Sequence, residues 1–436
     1  MEKLLEIAKE KCDQVEIYSL NQIVDVAIFE NAKLKDISSS AQSGVSLRII
    51  EDNTLGFAYT KNLIDREELL LNSLDSLKGG VEATFDFPTA RDLPVVNTYH
   101  PSIEDLTATP IVDECNRISH YIASKTQGQI NISAGRVVDE IGLLNSSGTN
   151  VNSKTSLCFF NISILYPLSY ASVHRTLYLK MFEHIESNYL DFIIDIYNES
   201  VKPVDAKGGK IKVLFMPEAL YVLMWRIQSA TSGESIYQKE SPLDGKIGQK
   251  ILDPQLTIYN DPLNDKTPGA RTFDDEGTPC CHFPIVKMGV LQNFYFDLNY
   301  AKKMNTHPTG HGFKTARWSS EVVSLTPTPS LQHLHVKPGT FSFAELIKSI
   351  DEGIVVAGAL GAHSGNILNG DFSIGLSPGF YVRNGEITGH VKDVMVAGNI
   401  YDTMKHIIGI EDTLHQTAFG NFPAILFDRV SVVTNH

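Results

Sequence analysis

The 436-residue chain has room for two or three domains of about 100–200 residues each, and its 42% hydrophobic content excludes global disorder. Against 37 basic residues stand 51 acidic ones, and the net charge of −14 repels phosphate, which argues against direct nucleic-acid binding. No run nears the roughly 18 apolar residues of a membrane span, the start MEKLLEIAKEKCDQ lacks a secretory h-region, and Cys12, Cys115, Cys158, Cys280 and Cys281 are too scattered for a disulfide framework. The expectation is a cytoplasmic protein with reduced thiols.

Residues 2–13 predict a short amphipathic helix, with Leu4, Leu5, Ala8 and Cys12 on one face. Strand-like runs follow at Val15–Tyr18, Val24–Phe29 and Val45–Ile49, and a turn at Asp52-Asn53 leads to a hairpin partner at Leu55–Thr60. Asp65 and Glu68 form a capping box before the stripe Leu70, Leu74 and Leu77, which Gly79-Gly80 ends. Thr109-Pro110 opens a helix carrying Ile111, Cys115, Ile118 and Ile122. Short strands fill Ile130–Phe160 around a turn at Ser146-Ser147-Gly148.

The polar stretch Glu199–Lys210 breaks every period and predicts a linker. It divides an N-terminal α+β domain, 1–204, from a mainly β C-terminal domain with a few helices, 205–436. Past it come a strand at Ile211–Phe215 and a helix from Pro217 to about Ala230. Ser342 and Glu345 form a capping box, Asn384-Gly385 predicts a hairpin turn, and Lys392–Ile407 shows a helical stripe of Val394, Ala397 and Tyr401. Strands and helices do not alternate strictly, so the fold class is α+β.

No phosphate loop, dinucleotide fingerprint, G-x-S-x-G elbow, C-x-x-C pair or HExxH helix is present. Three features remain. Asp274, Asp275 and Glu276 lie in the run RTFDDEGTP, where adjacent acids suit acid/base work or a plain turn paired with Arg271. His307, His311, His333 and His335 are spaced for an unconventional metal site or are ordinary core-edge histidines. The glycine-rich run Gly361–Phe372, with His363, Asn366 and Asp371, fits a substrate groove or a domain junction.

Several segments in order resemble one family along essentially the whole chain. They are GVSLRII followed by GFAYT, then SGESIYQKESPLDGKIGQKILDP, RTFDDEGTP, the PTG-x-G segment at 308–312, GDFSIG, YVRNGEITG and VAGNIYD. The family is TldD/PmbA, whose members are named modulators of DNA gyrase. The resemblance implies a cytoplasmic metallopeptidase complex of two subunit types. The TldD type carries an H-E-x-x-x-H helix and a C-terminal cysteine, which bind zinc and leave a place for water. In this chain Pro217, Glu218 and Val222 occupy the motif positions, and no cysteine follows Cys281. Only the glutamate survives.

This pattern resembles the PmbA/TldE-type subunit. It implies no catalytic residue and no cofactor in this chain, with zinc expected only in a TldD-type partner. The implied partners are that subunit, a second copy when the chain is isolated, and an unfolded peptide substrate. Neither nucleic acid nor membrane is expected to be bound directly, so any gyrase link runs through proteins or peptides. Cleft candidates are Asp274, Asp275, Glu276, Gly310, His311, His363, Asn366 and Asp371. The segment THPTGHG departs from the family's usual TPTGNG, and His333 stands where relatives often have Asn. Two rivals follow: an autonomous hydrolase with a relocated metal site, and a homodimeric interaction protein without peptidase activity.

Overall fold

The computed structural model describes residues 1–266, 269–315 and 321–434. The fold is α+β, with helices packed against a large antiparallel sheet in the first half and a mostly β second half. The first sheet has seven strands in the order β4-β3-β2-β1-β5-β6-β7. These are β1 (Gln14–Glu30), β2 (Lys33–Glu51), β3 (Thr54–Thr60), β4 (Val81–Glu82), β5 (Gln129–Asn145), β6 (Asn150–Leu165) and β7 (Ser172–Leu179). Two expectations change here. The separate runs Val15–Tyr18 and Val24–Phe29 are one strand, and Ile130–Phe160 is covered by two long strands. The polar stretch from Ser19 to Asp25 stays extended because β2 and β5 pair with it on both sides without a break.

Helix Glu2–Lys9 buries Leu4 and Ala8 on this sheet. Helix Arg66–Ser76 begins where the Asp65 carboxylate accepts from the backbone N–H groups of Glu67 and Glu68, and Gly80 follows it in the left-handed region. Helix Ala108–Ala123 buries the expected stripe of Ile111, Cys115, Ile118 and Ile122. The expected linker begins as the end of helix Ser187–Ser200 and includes β8 (Pro203–Val204), which joins the second large sheet.

In that sheet β9 (Gly209–Phe215) lies between Glu352–Val356, parallel to it, and Ile425–Thr434, antiparallel to it. Helix Pro217–Thr231 follows β9 and buries Val222, Leu223 and Ile227. The capping box of Ser342 and Glu345 is formed. Asn384 and Gly385 both take positive φ and turn the hairpin from Gly379–Arg383 to Glu386–Val391. The helix expected over Lys392–Ile407 is a correction. Val394–Asn399 is a strand, with Val394 and Val396 buried and Met395 exposed, and only Ile400–Thr403 is helical. Alternation of β-branched residues outweighs the 3.6-residue stripe there.

A third sheet carries β10 (Ile258–Asn260), β11 (Phe283–Lys287), β12 (Val290–Leu291), then Leu334–Val336, Gly420–Phe422 and the edge strand His415–Thr417. One apolar core joins the halves. Phe160, Ile162 and Ile193 pack in the same cluster as Leu214, Ile350 and Val355.

Candidate functional site

Helix Pro217–Thr231 starts directly after β9, with Pro217 in its first turn, where a missing N–H costs nothing. Pro217 and Val222 are buried, and neither side chain has an atom that could ligate a metal. Glu218 sits one residue into the helix, where the macrodipole favours a carboxylate. It faces Arg175 of β7, whose Nε lies 3.3 Å from Glu218 Oε1; the two side chains are only 5% and 8% exposed. Arg175 also donates to His415 Nδ1 at 2.9 Å. His415 Nε2 lies 3.1 Å from Glu411 Oε1. The Arg175 guanidinium stacks over Phe192, 4.0 Å from the ring centroid. A buried row, Glu218–Arg175–His415–Glu411, thus occupies this end of the helix. The donor set does not fit zinc, because proline and valine offer nothing and the glutamate already faces a guanidinium. Among the described residues no group of three or more His, Cys, Asp or Glu side chains could hold a metal ion.

Arg175, Glu218 and His415 of this row line a cleft of about 720 Å³. It is lined by β7, the outer strand of the first sheet, and by residues 413–416, which lead into His415–Thr417, the outer strand of the third sheet, where that strand lies against β7. Lys180, Glu183 and Lys266 line it as well. Past Tyr178 and Gln416 it continues into smaller hollows lined by Gln332, Ala418, Tyr221 and Trp225.

The sequence-derived candidates fall elsewhere, in three groups. Asp274, Asp275 and Glu276 are all buried and bind backbone and cations at the seam between the first sheet and the second half. Asp274 accepts from the N–H groups of Glu276, Thr278 and Gly312. Asp275 pairs with Arg271 and accepts from the Lys314 N–H. Arg48 of β2 bridges Glu16 and Glu276 at 2.8 and 2.9 Å, and Glu276 also accepts from the Leu298 N–H. Gly310 and Gly312 let the backbone close on this loop. A Cβ at Gly312 would lie 2.1 Å from Glu276 Oε2, and Gly310 has φ +73°. Burial raises the Glu16 carboxyl to about 7 and the Asp297 carboxyl to about 8, each against the pull of Arg48. Burial, helped by Arg48, drops the Lys314 ammonium to about 7.

The second group is the histidines. His311 and His333 meet at Asn260, which donates to His311 Nε2 and accepts from the His333 N–H. His311 is held further by Thr309 and packs on Phe283. Burial pushes His311 and His333 down to about 3. His335 stacks on Tyr259 and takes a hydrogen bond from Asn421. His307 is exposed, outside any helix or strand. In the third group His363 and Asn366 lie on a loop and Asp371 opens the strand Asp371–Leu376 that follows it; all three are exposed. Buried Arg226 holds that loop by donating to the carbonyls of Ala362, Ser364 and Asp371.

Arg175 and His415 were not among the candidates. In β7 the sequence Ser-Val-His-Arg-Thr-Leu-Tyr-Leu puts Arg175 on the same parity as Val173 and Leu179, and all three are buried. A charge on an apolar strand face was the available signal.

The fold and the substituted motif point to a peptidase-type architecture that lacks a zinc donor set at this helix. The profile of the PmbA/TldA metallopeptidase C-terminal domain matches residues 208–434, and that of PmbA/TldA metallopeptidase domain 1 matches residues 15–83. The chain belongs to the PmbA/TldD family. A metalloprotease of Methanothermobacter thermautotrophicus is 25% identical over 88% of this chain and 84% of its own. The crystal structure of TldE from Thermococcus kodakarensis superposes with a TM-score of 0.90, at 21% identity over 99% of both chains. A Thermotoga maritima protein named as a modulator of a DNA gyrase gives 0.85, at 24% identity and the same coverage.

Proposed function

We propose that this chain is a non-metallated PmbA/TldE-type subunit of a cytoplasmic peptidase complex, and that it supports hydrolysis of unfolded or flexible peptides by a zinc-bearing TldD-type partner. The observation that carries the reading is the row at the Pro217 helix. Buried Pro217 and Val222 stand at the two histidine positions, and Arg175 faces the remaining Glu218. A guanidinium beside the carboxylate supplies fixed positive charge but cannot lower the pKa of a bound water as a metal does. No hydrolytic step is assigned to this chain's own residues. The reading includes two domains, 1–204 and 205–436, and a homodimer when the chain is isolated.

The histidine group gives the rival hydrolase little support, because both His311 ring nitrogens and His335 Nε2 already meet Asn260, Thr309 and Asn421, and among the described residues no group of three or more potential ligands could hold a metal ion. The test is affinity capture of the tagged chain from its native cells. Stoichiometric recovery of a family member carrying H-E-x-x-x-H supports the reading. Recovery of the chain alone, with no such protein encoded in the genome, contradicts it.

A further inference from the structure

The geometry points to a docking groove for a basic segment of a partner protein, one in which an apolar side chain lies between lysines or arginines. The groove is lined by helix Ser187–Ser200, helix Phe343–Lys348 and the hairpin at Asn384-Gly385. It goes beyond the subunit reading and does not depend on it.

The groove is preformed. Phe192 and Ile196 of the first helix, Phe343 and Ile347 of the second and Ile387 of the hairpin give an apolar lining to an opening of about 460 Å³. Ile196 and Ile347 belong to the core that joins the two halves, and the other three pack against that core. Phe192 and Phe343 meet edge to face, with ring centroids 5.2 Å apart. The hairpin turn is tied to the chain just past the second helix, where the N–H groups of Asn384 and Gly385 donate to the carbonyls of Asp351 and Ile350 at 2.7 and 2.8 Å.

Charge identifies the occupant. Asp195 and Glu199 share the helix face of Phe192 and Ile196, and Glu386 comes from the hairpin. All three acids are exposed, and among the described residues none of them is paired with a cation. Burial, then the charges of Asp195 and Glu386, raise the Glu199 carboxyl above its ordinary value. Against three acids the lining offers one cation, Lys348. An incoming ammonium or guanidinium relieves this crowding while its alkyl stem covers apolar surface. A neutral occupant leaves the acids crowded, and an acidic one is repelled. The net charge of −14 adds attraction for a basic partner at longer range. With all three acids exposed, the groove lies open to a passing segment of chain, unlike a pocket that encloses a small ligand.

The test is fluorescence anisotropy of the purified full chain with a labelled, end-capped peptide of one leucine between two pairs of arginines. It should bind at least about 10-fold more tightly than the same peptide with glutamates for arginines. Serine in place of the leucine should weaken it about 5-fold. The triple variant Asp195→Asn, Glu199→Gln and Glu386→Gln should weaken binding about 10-fold. The matched variant Glu2→Gln, Glu6→Gln and Glu10→Gln removes as much charge from exposed positions in and beside helix Glu2–Lys9, and it should leave binding within about 2-fold of the parent. Ala344 is exposed in the groove, so Ala344→Trp should fill it and weaken binding. The peptide series on the unaltered chain stands whether or not a variant folds. Absence of binding overturns the proposal, as does equal affinity for the acidic peptide or equal loss in the two triple variants. Free arginine amide binding as tightly as the peptide would give the groove to a small cation, and a dimer that Ala344→Trp dissociates would give it to a second copy; either result also overturns it.

Discussion

At the residue scale the molecule is fixed by side chains that cannot give way. Glu276 is held by Arg48 on one oxygen and the Leu298 N–H on the other, so it cannot retreat from a new atom at Gly312. Gly312→Ala is therefore expected to cost about 2–4 kcal/mol in urea unfolding. Gly375→Ala, whose Cβ would sit 3.6 Å from its nearest neighbour, should stay within about 0.5 kcal/mol of the parent. Equal midpoints for the two variants would contradict this reading of the seam. Arg48→Met leaves Glu16 and Glu276 buried together with no bridging cation. It should lose about 3–5 kcal/mol by the same measurement, and a loss below 1 kcal/mol would show that the bridge is dispensable. None of these pairings was legible from spacing. Arg48 meets Glu276 from 228 residues away, and Arg175 meets His415 from 240.

At the element scale, the helix Leu298–Lys303 begins at Asp297, whose carboxylate accepts from the Tyr300 N–H. Burial and the nearby Glu276 charge raise the folded pKa of Asp297 to about 8. The folded state therefore holds a proton there that the unfolded state has released, and stability falls as pH rises from about 4 towards 8. Asparagine caps as well as aspartate does. Asp297→Asn should thus raise the melting temperature at pH 8 and change it little at pH 5. Glu16 acts in the same sense up to about pH 7, while Lys314, whose pKa is lowered to about 7, adds stability above that pH. An Asp297→Asn melting curve shifted equally at both pH values would contradict the assignment. Elements with local signals were readable: the Asp65 cap, the Ser342 box and the Asn384-Gly385 turn. The Val394 strand was misread because Ala397 and Tyr401 continued a helical stripe beyond a strand of only 6 residues. The full length of β1 was hidden because polar Asn21, Gln22 and Asp25 interrupt its apolar pattern.

At the scale of the whole molecule, the first sheet and the second half close on each other through a shared core and a buried charge seam. An opening of about 720 Å³ beside β7 reaches Glu218 of the Pro217 helix. The acidic run 271–279 and the glycine-rich loop 361–372 were visible in sequence as unusual, but their physical roles depend on partners distant in the chain. Asp274 and Glu276 seal the seam, and Arg226 secures the loop. Pro217 and Val222, by contrast, were legible as places without an imidazole only through the family resemblance, which sets them against two metal-binding histidines.

The most direct measurement is hydrolysis of a flexible peptide by the purified chain, alone and mixed with an H-E-x-x-x-H partner, with zinc content determined for each. The chain alone should hold no stoichiometric zinc and cleave nothing, and the mixture should cleave with activity that a chelator removes. Chelator-sensitive cleavage by the chain alone, with bound zinc, would contradict the subunit reading.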